Sequence, residues 1–162
     1  MVEKTFVEWD QFLRDIDALY EKVKNEKFDL IICVNRSGLI LGRILSDKMG
    51  LPLGVISFQS YKRGGQSIGK HVMHPAISLI GKTKGKVLLV DDLVDSGKTV
   101  EVLKNHIGSI EGVEDVKSAV IYNKRADEKS PDFFVQRTEN WVVFPYEIEE
   151  FNEKDENAES LR

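Results

Sequence analysis

Two kinds of apolar spacing alternate along the chain. Unbroken runs of β-formers occur at Leu30-Ile31-Ile32-Cys33-Val34 and at Val87-Leu88-Leu89-Val90, with further strand patterns at Leu53–Phe58 and Val116–Tyr122. Runs of this kind, bounded by turn residues, are the pattern of parallel strands buried on both faces. Between them apolar side chains recur at helical spacing. Trp9, Phe12, Leu13, Ile16, Leu19, Tyr20 and Val23 form one face of an amphipathic helix over 9–24. Thr5 and Glu8 stand at capping-box spacing before it, with Asp10 as an alternative start. A second helix is predicted from Leu39 to Lys48, closed by Gly50 and Pro52, and a third through Val100, Leu103 and Ile107 to Gly108. Strands alternating with helices predict an α/β fold, a mostly parallel twisted sheet flanked by helices.

The rest of the pattern is less regular. Residues 59–71 carry three glycines, two lysines and an arginine without periodicity, and read as a long polar loop of functional type. Val72 to Ile80 is a candidate strand returning from it, and Gly81 to Lys86 a turn. Asn123 to Pro131 is a charged loop, Asp132 to Gln136 a short strand, and Trp141 to Tyr146 a last apolar patch. Residues 152–162 are polar, acidic and patternless, and read as a loose tail.

Composition narrows the classes. A chain of 162 residues suits one domain with a sizeable core. The net charge of −4 disfavours general attraction to nucleic acid or an anionic membrane. No apolar run approaches the ~20 residues needed to span a bilayer, and Met1-Val2-Glu3-Lys4 has no signal-peptide architecture. The single Cys33 has no disulfide partner and sits in an apolar run, so a buried thiol in a reducing cytoplasm is expected.

The chemistry gathers at Val90-Asp91-Asp92-Leu93-Val94-Asp95-Ser96-Gly97-Lys98-Thr99. The C-terminal end of a parallel strand is where an open α/β sheet puts its ligand crevice. Ser96 to Thr99 would form a tight loop opening a helix, where exposed N–H groups and the helix dipole favour a phosphate. Asp91 and Asp92, just upstream, suit sugar hydroxyls or a divalent cation. Clustered carboxylates are costly unless hydroxyls or a cation satisfy them, which disfavours a purely structural turn. A nucleoside-triphosphate P-loop would need Gly where Asp92 stands, and Leu93 breaks the alternation of an EF-hand loop.

The stretch from Val90 to Thr99 resembles the phosphoribosyl-pyrophosphate (PRPP) binding motif of type I phosphoribosyltransferases. From Val7 to Glu147 the order of elements is similar to the xanthine-guanine enzymes within the 6-oxopurine group. The resemblance implies one phosphoribosyltransferase domain over 1–151, with a small hood from about 131–151 plus N-terminal residues, leaving 152–162 as the tail. It implies that Asn35-Arg36-Ser37-Gly38 forms the pyrophosphate loop, where Asn35 and Ser37 depart from a commoner Ser-Arg-Gly-Gly. In the family the peptide bond entering this loop can be cis, a point the sequence leaves open. Ser60-Tyr61 is similar to the pair heading the lid that closes over PRPP and excludes water. Asp91 and Asp92 match the acidic pair that contacts the ribose hydroxyls with Mg²⁺ nearby, and Asp95 the acceptor of the purine N7 proton. Ser96, Gly97, Lys98 and Thr99 match the 5′-phosphate loop. Lys124 matches the donor to the purine 6-oxo group, Trp141 the stacking aromatic, and Val142 the residue whose backbone meets the exocyclic edge. Glu147 stands where a further Mg²⁺ contact would lie.

These correspondences imply transfer of 5-phosphoribosyl from PRPP to N9 of guanine, xanthine or hypoxanthine, releasing pyrophosphate and a purine nucleotide. Mg²⁺ is the implied cofactor and a homodimer or homotetramer the implied assembly. Two other readings stand beside this one. A PRPP-binding regulator would carry a basic face or an added nucleic-acid-binding domain, and this acidic chain starts its fold within about ten residues. A phosphoribosyltransferase for another base, adenine, orotate or uracil, is the other; Lys124 paired with Trp141 argues against adenine, because an ammonium offers donors only and suits an oxo group rather than an amino group.

Overall fold

Each unbroken apolar run becomes a strand that feeds both faces of one sheet. The computed structural model of the protein describes residues 3–62 and 66–147, without the side chains of 59–76. The elements in chain order are β1 (Lys4–Phe6), α1 (Trp9–Val23), β2 (Leu30–Asn35), α2 (Leu39–Met49), β3 (Leu53–Lys62), β4 (Gln66–Ser78) and β5 (Gly85–Val94), then α3 (Lys98–Gly108), β6 (Val113–Asn123), β7 (Phe133–Arg137) and β8 (Trp141–Val143). The main sheet has the order β4-β3-β2-β5-β6-β7. All its pairings are parallel except β3 with β4.

Successive strand residues face opposite sides, and here each side is apolar. Ile31, Cys33, Leu88, Val90, Ala119 and Ile121 pack with Phe12, Ile16 and Leu19 of α1 and Leu41 and Leu45 of α2. Leu30, Ile32, Val34, Val87 and Leu89 pack on the other side with Leu103 and Ile107 of α3. Two helices on one face and one on the other leave the polar residues at the strand ends. Cys33 is fully buried, and burial pushes its thiol up to about 11, so it is held as an unreactive thiol.

Four features differ from the sequence expectation. The region read as a loop over 59–71 is largely an antiparallel ribbon, with Gln59 opposite Val72 and Lys62 opposite Gln66; residues 63–65 lie outside the described part. Main-chain pairing at the edge of a sheet needs no apolar alternation, so periodicity gave no sign of it. β5 runs past its apolar core to Val94, because Leu93 and Val94 pair with Tyr122 and Asn123 of β6; Asp91 and Asp92 therefore lie inside a strand. The short β1 pairs in parallel with β8, Lys4 opposite Trp141 and Phe6 opposite Val143. Finally, the capping box does not form: α1 is capped by Glu8 without a side-chain bond, and Thr5 Oγ1 instead accepts from Asn140 Nδ2 at 3.0 Å. The tail 152–162 lies outside the described residues.

A carboxylate ties α3 to the edge of the sheet. Asp132 Oδ2 accepts hydrogen bonds from Lys104 Nζ (2.8 Å), Ser118 N (2.7 Å) and Ser118 Oγ (2.8 Å). Partial burial acts to raise its pKa, but these donors together outweigh it and hold the carboxyl below its usual value. Replacing Asp132 by Ala should cost about 1–3 kcal/mol at pH 7, since it orphans donors of the buried Ser118. A depressed folded pKa contributes above the unfolded value and is lost as pH falls through the folded one. The deficit against wild type should therefore narrow below about pH 4. Urea unfolding at pH 7 and pH 3 checks this.

Candidate active site

The register of three adjacent strands decides which loops meet. Cys33 of β2 stands opposite Val90 of β5, and Val94 of β5 opposite Asn123 of β6. The segments that follow, 35–38, 95–99 and from Lys124 onward, therefore share the C-terminal edge of the sheet, where open α/β folds bind ligands. Lys124 N donates to Val94 O at 2.9 Å and ties its loop to the end of β5.

Asn35 ends β2, and the Asn35–Arg36 peptide bond is cis. Asn35 Nδ2 donates to Ser57 Oγ of β3 at 3.2 Å, and Arg36 is exposed. Gly38 packs so close to the strands that a Cβ there would lie 2.7 Å from Val90 O and 2.9 Å from Val34 O. Only glycine lets this loop lie flat against β5. Ser37 Oγ donates to Asp91 Oδ1 at 2.7 Å.

Asp91 and Asp92 are both buried, at 8% and 7% exposure. By strand alternation Asp92 shares the face of Leu88 and Val90, toward α1, and Asp91 the opposite one. Each meets a hydroxyl from a different quarter. Asp91 Oδ1 accepts from Ser37 Oγ and from Asp92 N (3.0 Å), while Asp92 Oδ2 accepts from Tyr146 OH at 2.6 Å. Burial raises both carboxyls above their usual range, Asp91 to about 6 against the pull of these donors. Asp92 is raised further by the charges of Asp91 and Glu147. Burial and the Asp92 charge push the Tyr146 phenol far up, so it stays a donor.

A carboxyl whose folded pKa is raised contributes its full stability below the unfolded value and loses it as pH rises through the folded one. Asp91→Asn keeps the acceptor oxygen for Ser37 and removes the buried charge. Without ligand and in chelator it should be more stable than wild type at pH 7, by about 1–3 kcal/mol. The gain should vanish near pH 4, as thermal unfolding across that range would show.

Asp95 and Ser96 follow β5 and are exposed. Gly97 is the N-cap of α3, at φ +76, a left-handed conformation. A Cβ there would also sit 2.7 Å from Lys129 Cβ and 2.9 Å from Lys129 O, so glycine is required twice over. Lys98 and Thr99 open α3. The first N–H groups of a helix have no partner within it; Gly97 has no side chain to cap them, and Lys98 N makes a long 3.4 Å bond to Ser96 Oγ. The end of α3 is thus suited to an anion.

On the far side, Lys124 Nζ lies 5.7 Å from the centre of the Trp141 ring. Trp141 is 41% exposed, although it sits in a strand whose next residues, Val142 and Val143, are buried. Glu147 Oε2 accepts from Phe144 N at 3.0 Å. Ser60 and Tyr61 fall on β3, and their side chains lie outside the described part. Sequence reasoning missed Tyr146 as a site residue, having counted it only in the apolar patch. The one available signal was a hydroxyl-bearing ring next to Glu147. Among the described residues no group of three His, Cys, Asp or Glu is arranged to hold a metal ion by itself, and no helix is long and apolar enough to cross a membrane.

Comparison with known proteins bears on the fold and the family. A purine phosphoribosyltransferase from Pyrococcus horikoshii OT3 is 39% identical, with 88% of this chain and 93% of that chain covered and a TM-score of 0.75. A xanthine-guanine-hypoxanthine phosphoribosyltransferase from Helicobacter pylori is 22% identical, with 96% and 99% covered and a TM-score of 0.74. A protein from Neisseria gonorrhoeae solved with bound ppGpp is 23% identical, with 100% and 99% covered and a TM-score of 0.70. The last two likenesses are of fold. The family model of the phosphoribosyl transferase domain matches residues 4–150, nearly all of the sequence that carries the sheet and its crevice, and the chain belongs to the phosphoribosyltransferase family.

Proposed function

We propose that the protein transfers 5-phosphoribosyl from PRPP to N9 of a 6-oxopurine, that is guanine, xanthine or hypoxanthine. The observation that carries the choice of base is Lys124, whose ammonium lies over the ring of the partly exposed Trp141, 5.7 Å from its centre, at the sheet edge that holds the carboxylate pair. An indole face takes any purine, and an ammonium group beside it selects an acceptor at position 6. The 39% identical purine phosphoribosyltransferase supports the purine class.

In this reading the C1–N9 bond forms as the bond from C1 to the pyrophosphate oxygen breaks. Positive charge develops on the ribose, so catalysis is chiefly positioning and electrostatics. Arg36 and the amides of 36–38 hold the leaving pyrophosphate. The α3 N-terminus, with Ser96, Gly97, Lys98 and Thr99, holds the 5′-phosphate. Asp91 and Asp92 accept from the ribose hydroxyls. Asp95 takes the proton that the purine loses at N7, and Lys124 balances charge at O6. Asp91 and Asp92 are buried carboxylates with raised pKa values, Asp92 near the charge of Glu147, and as hard oxygen donors either suits a divalent cation. Mg²⁺ held there, with substrate oxygens completing its shell, would neutralise pyrophosphate. A homodimer or homotetramer is the assembly we expect of such an enzyme.

The test supplies PRPP and Mg²⁺ with guanine, xanthine, hypoxanthine, adenine or uracil in separate reactions. GMP, XMP and IMP are expected, with little AMP or UMP. AMP formed as fast as GMP, or no nucleotide from any base, would overturn the reading.

A further inference from the structure

Tyr146 is the one hydroxyl among the described residues that connects the segment carrying Trp141 and Val142 to the carboxylate pair on β5. Its O–H lies 2.6 Å from Asp92 Oδ2. The ring is fixed on several sides. It stacks on Phe144 at 5.4 Å with the planes 4° apart, meets Phe12 edge-on at 5.5 Å, and lies 6.5 Å from Trp9. Phe12 is fully buried, and Phe144 is 2% exposed. All of that packing could be met by phenylalanine. What the hydroxyl adds is a single directed bond, and here its partner is one of two paired carboxylates.

We infer that Tyr146 is a positioning residue for the transfer: by holding one oxygen of Asp92 it orients this carboxylate toward the ribose. The inference rests on the proposed function for the identity of the ligand. A carboxylate offers about four acceptor sites, so one phenol leaves capacity for a sugar hydroxyl. Asp91 is held in the same way by Ser37, from the loop beginning at the cis Asn35–Arg36 bond. Two neighbouring carboxylates, on opposite faces of β5, are thus each held by a hydroxyl from a different segment of the chain. The purine-side segment thereby contributes to the PRPP site without touching PRPP.

The test uses Tyr146→Phe and Tyr146→Trp, both of which keep an aromatic ring and lose the phenol. PRPP binding is measured by calorimetry in Mg²⁺ buffer without purine, and KM is measured separately for PRPP and guanine. A bond to a charged group of this kind predicts that Kd and KM for PRPP rise about tenfold or more in both variants. KM for guanine should stay within about twofold, because stacking and the Lys124 contact are untouched. In an Asp92→Ala background, which removes the acceptor, the loss of the phenol should change PRPP binding by less than about twofold, since the two residues act as a unit. A purely structural tyrosine would lower the melting temperature and leave both KM values alone; that outcome overturns the inference. So does a loss on guanine rather than PRPP, or an effect of Tyr146→Phe that persists undiminished in the Asp92→Ala background. Wild-type protein that binds PRPP and makes GMP while these variants match it sinks only the positioning role. Wild-type protein that does neither overturns the proposed function and this inference with it.

Discussion

Asp95→Asn should fold as wild type does and lose turnover with guanine by about 10²–10⁴-fold, the usual contribution of a positioned general base. Asp95 is exposed at the mouth of the crevice, directly after the last residue of β5 and one residue before the loop that opens α3. Its replacement by an isosteric amide removes no buried packing, so the melting temperature should not move. The amide cannot take up a proton, and the purine must lose one as N9 bonds to C1. The loss should therefore fall on kcat, with PRPP binding kept. Measured kcat at wild-type level would remove Asp95 from the mechanism. A parallel fall in melting temperature and activity would make the residue structural.

The second large effect is on the choice of base. Lys124 is held at its backbone by Val94 O and at its ammonium by the Trp141 face. Lys124→Ala should lower kcat/KM for guanine, xanthine and hypoxanthine alike, by roughly 10–10²-fold, because all three present the same acceptor and lose the same charged donor. Wild-type protein should use adenine at least about 10³-fold more slowly than guanine, since an amino group facing the ammonium leaves a charge unpaired. Trp141→Ala should instead weaken every purine by about 1–3 kcal/mol, stacking being indifferent to the substituents. Steady-state rates for four purines with the three proteins separate the two roles. If Lys124→Ala affects guanine but not hypoxanthine, the ammonium reads the C2 edge and not O6.

Much of the site was legible because it is local. The spacing of Asp91, Asp92, Asp95 and Gly97 lies within a few residues of one strand end, and strand-to-helix turns are set by short-range sterics. Gly97 at positive φ and Gly38 against Val90 O are positions where the backbone itself demands the residue. The helices and buried strands were legible for a similar reason, since their periodicity follows from which faces must be dry. The ribbon over 59–62 and 66–71 was not, because pairing at a sheet edge is carried by the main chain and leaves no pattern in the side chains. β1 was not either: three residues of mixed polarity acquire strand geometry only by pairing with β8, more than a hundred positions away.

By itself the sequence determined the α/β class, and the aspartates and glycine-capped helix start gathered at one strand end. Each depends on neighbours a few positions apart. Tertiary structure alone decided that Lys124 meets Trp141, that Ser37 and Tyr146 reach the carboxylate pair, and that both carboxyls are buried enough for their pKa values to rise. Those facts depend on strand order and register, which bring distant segments to one edge of the sheet. They also depend on desolvation, a property of the assembled core that no single stretch of chain possesses.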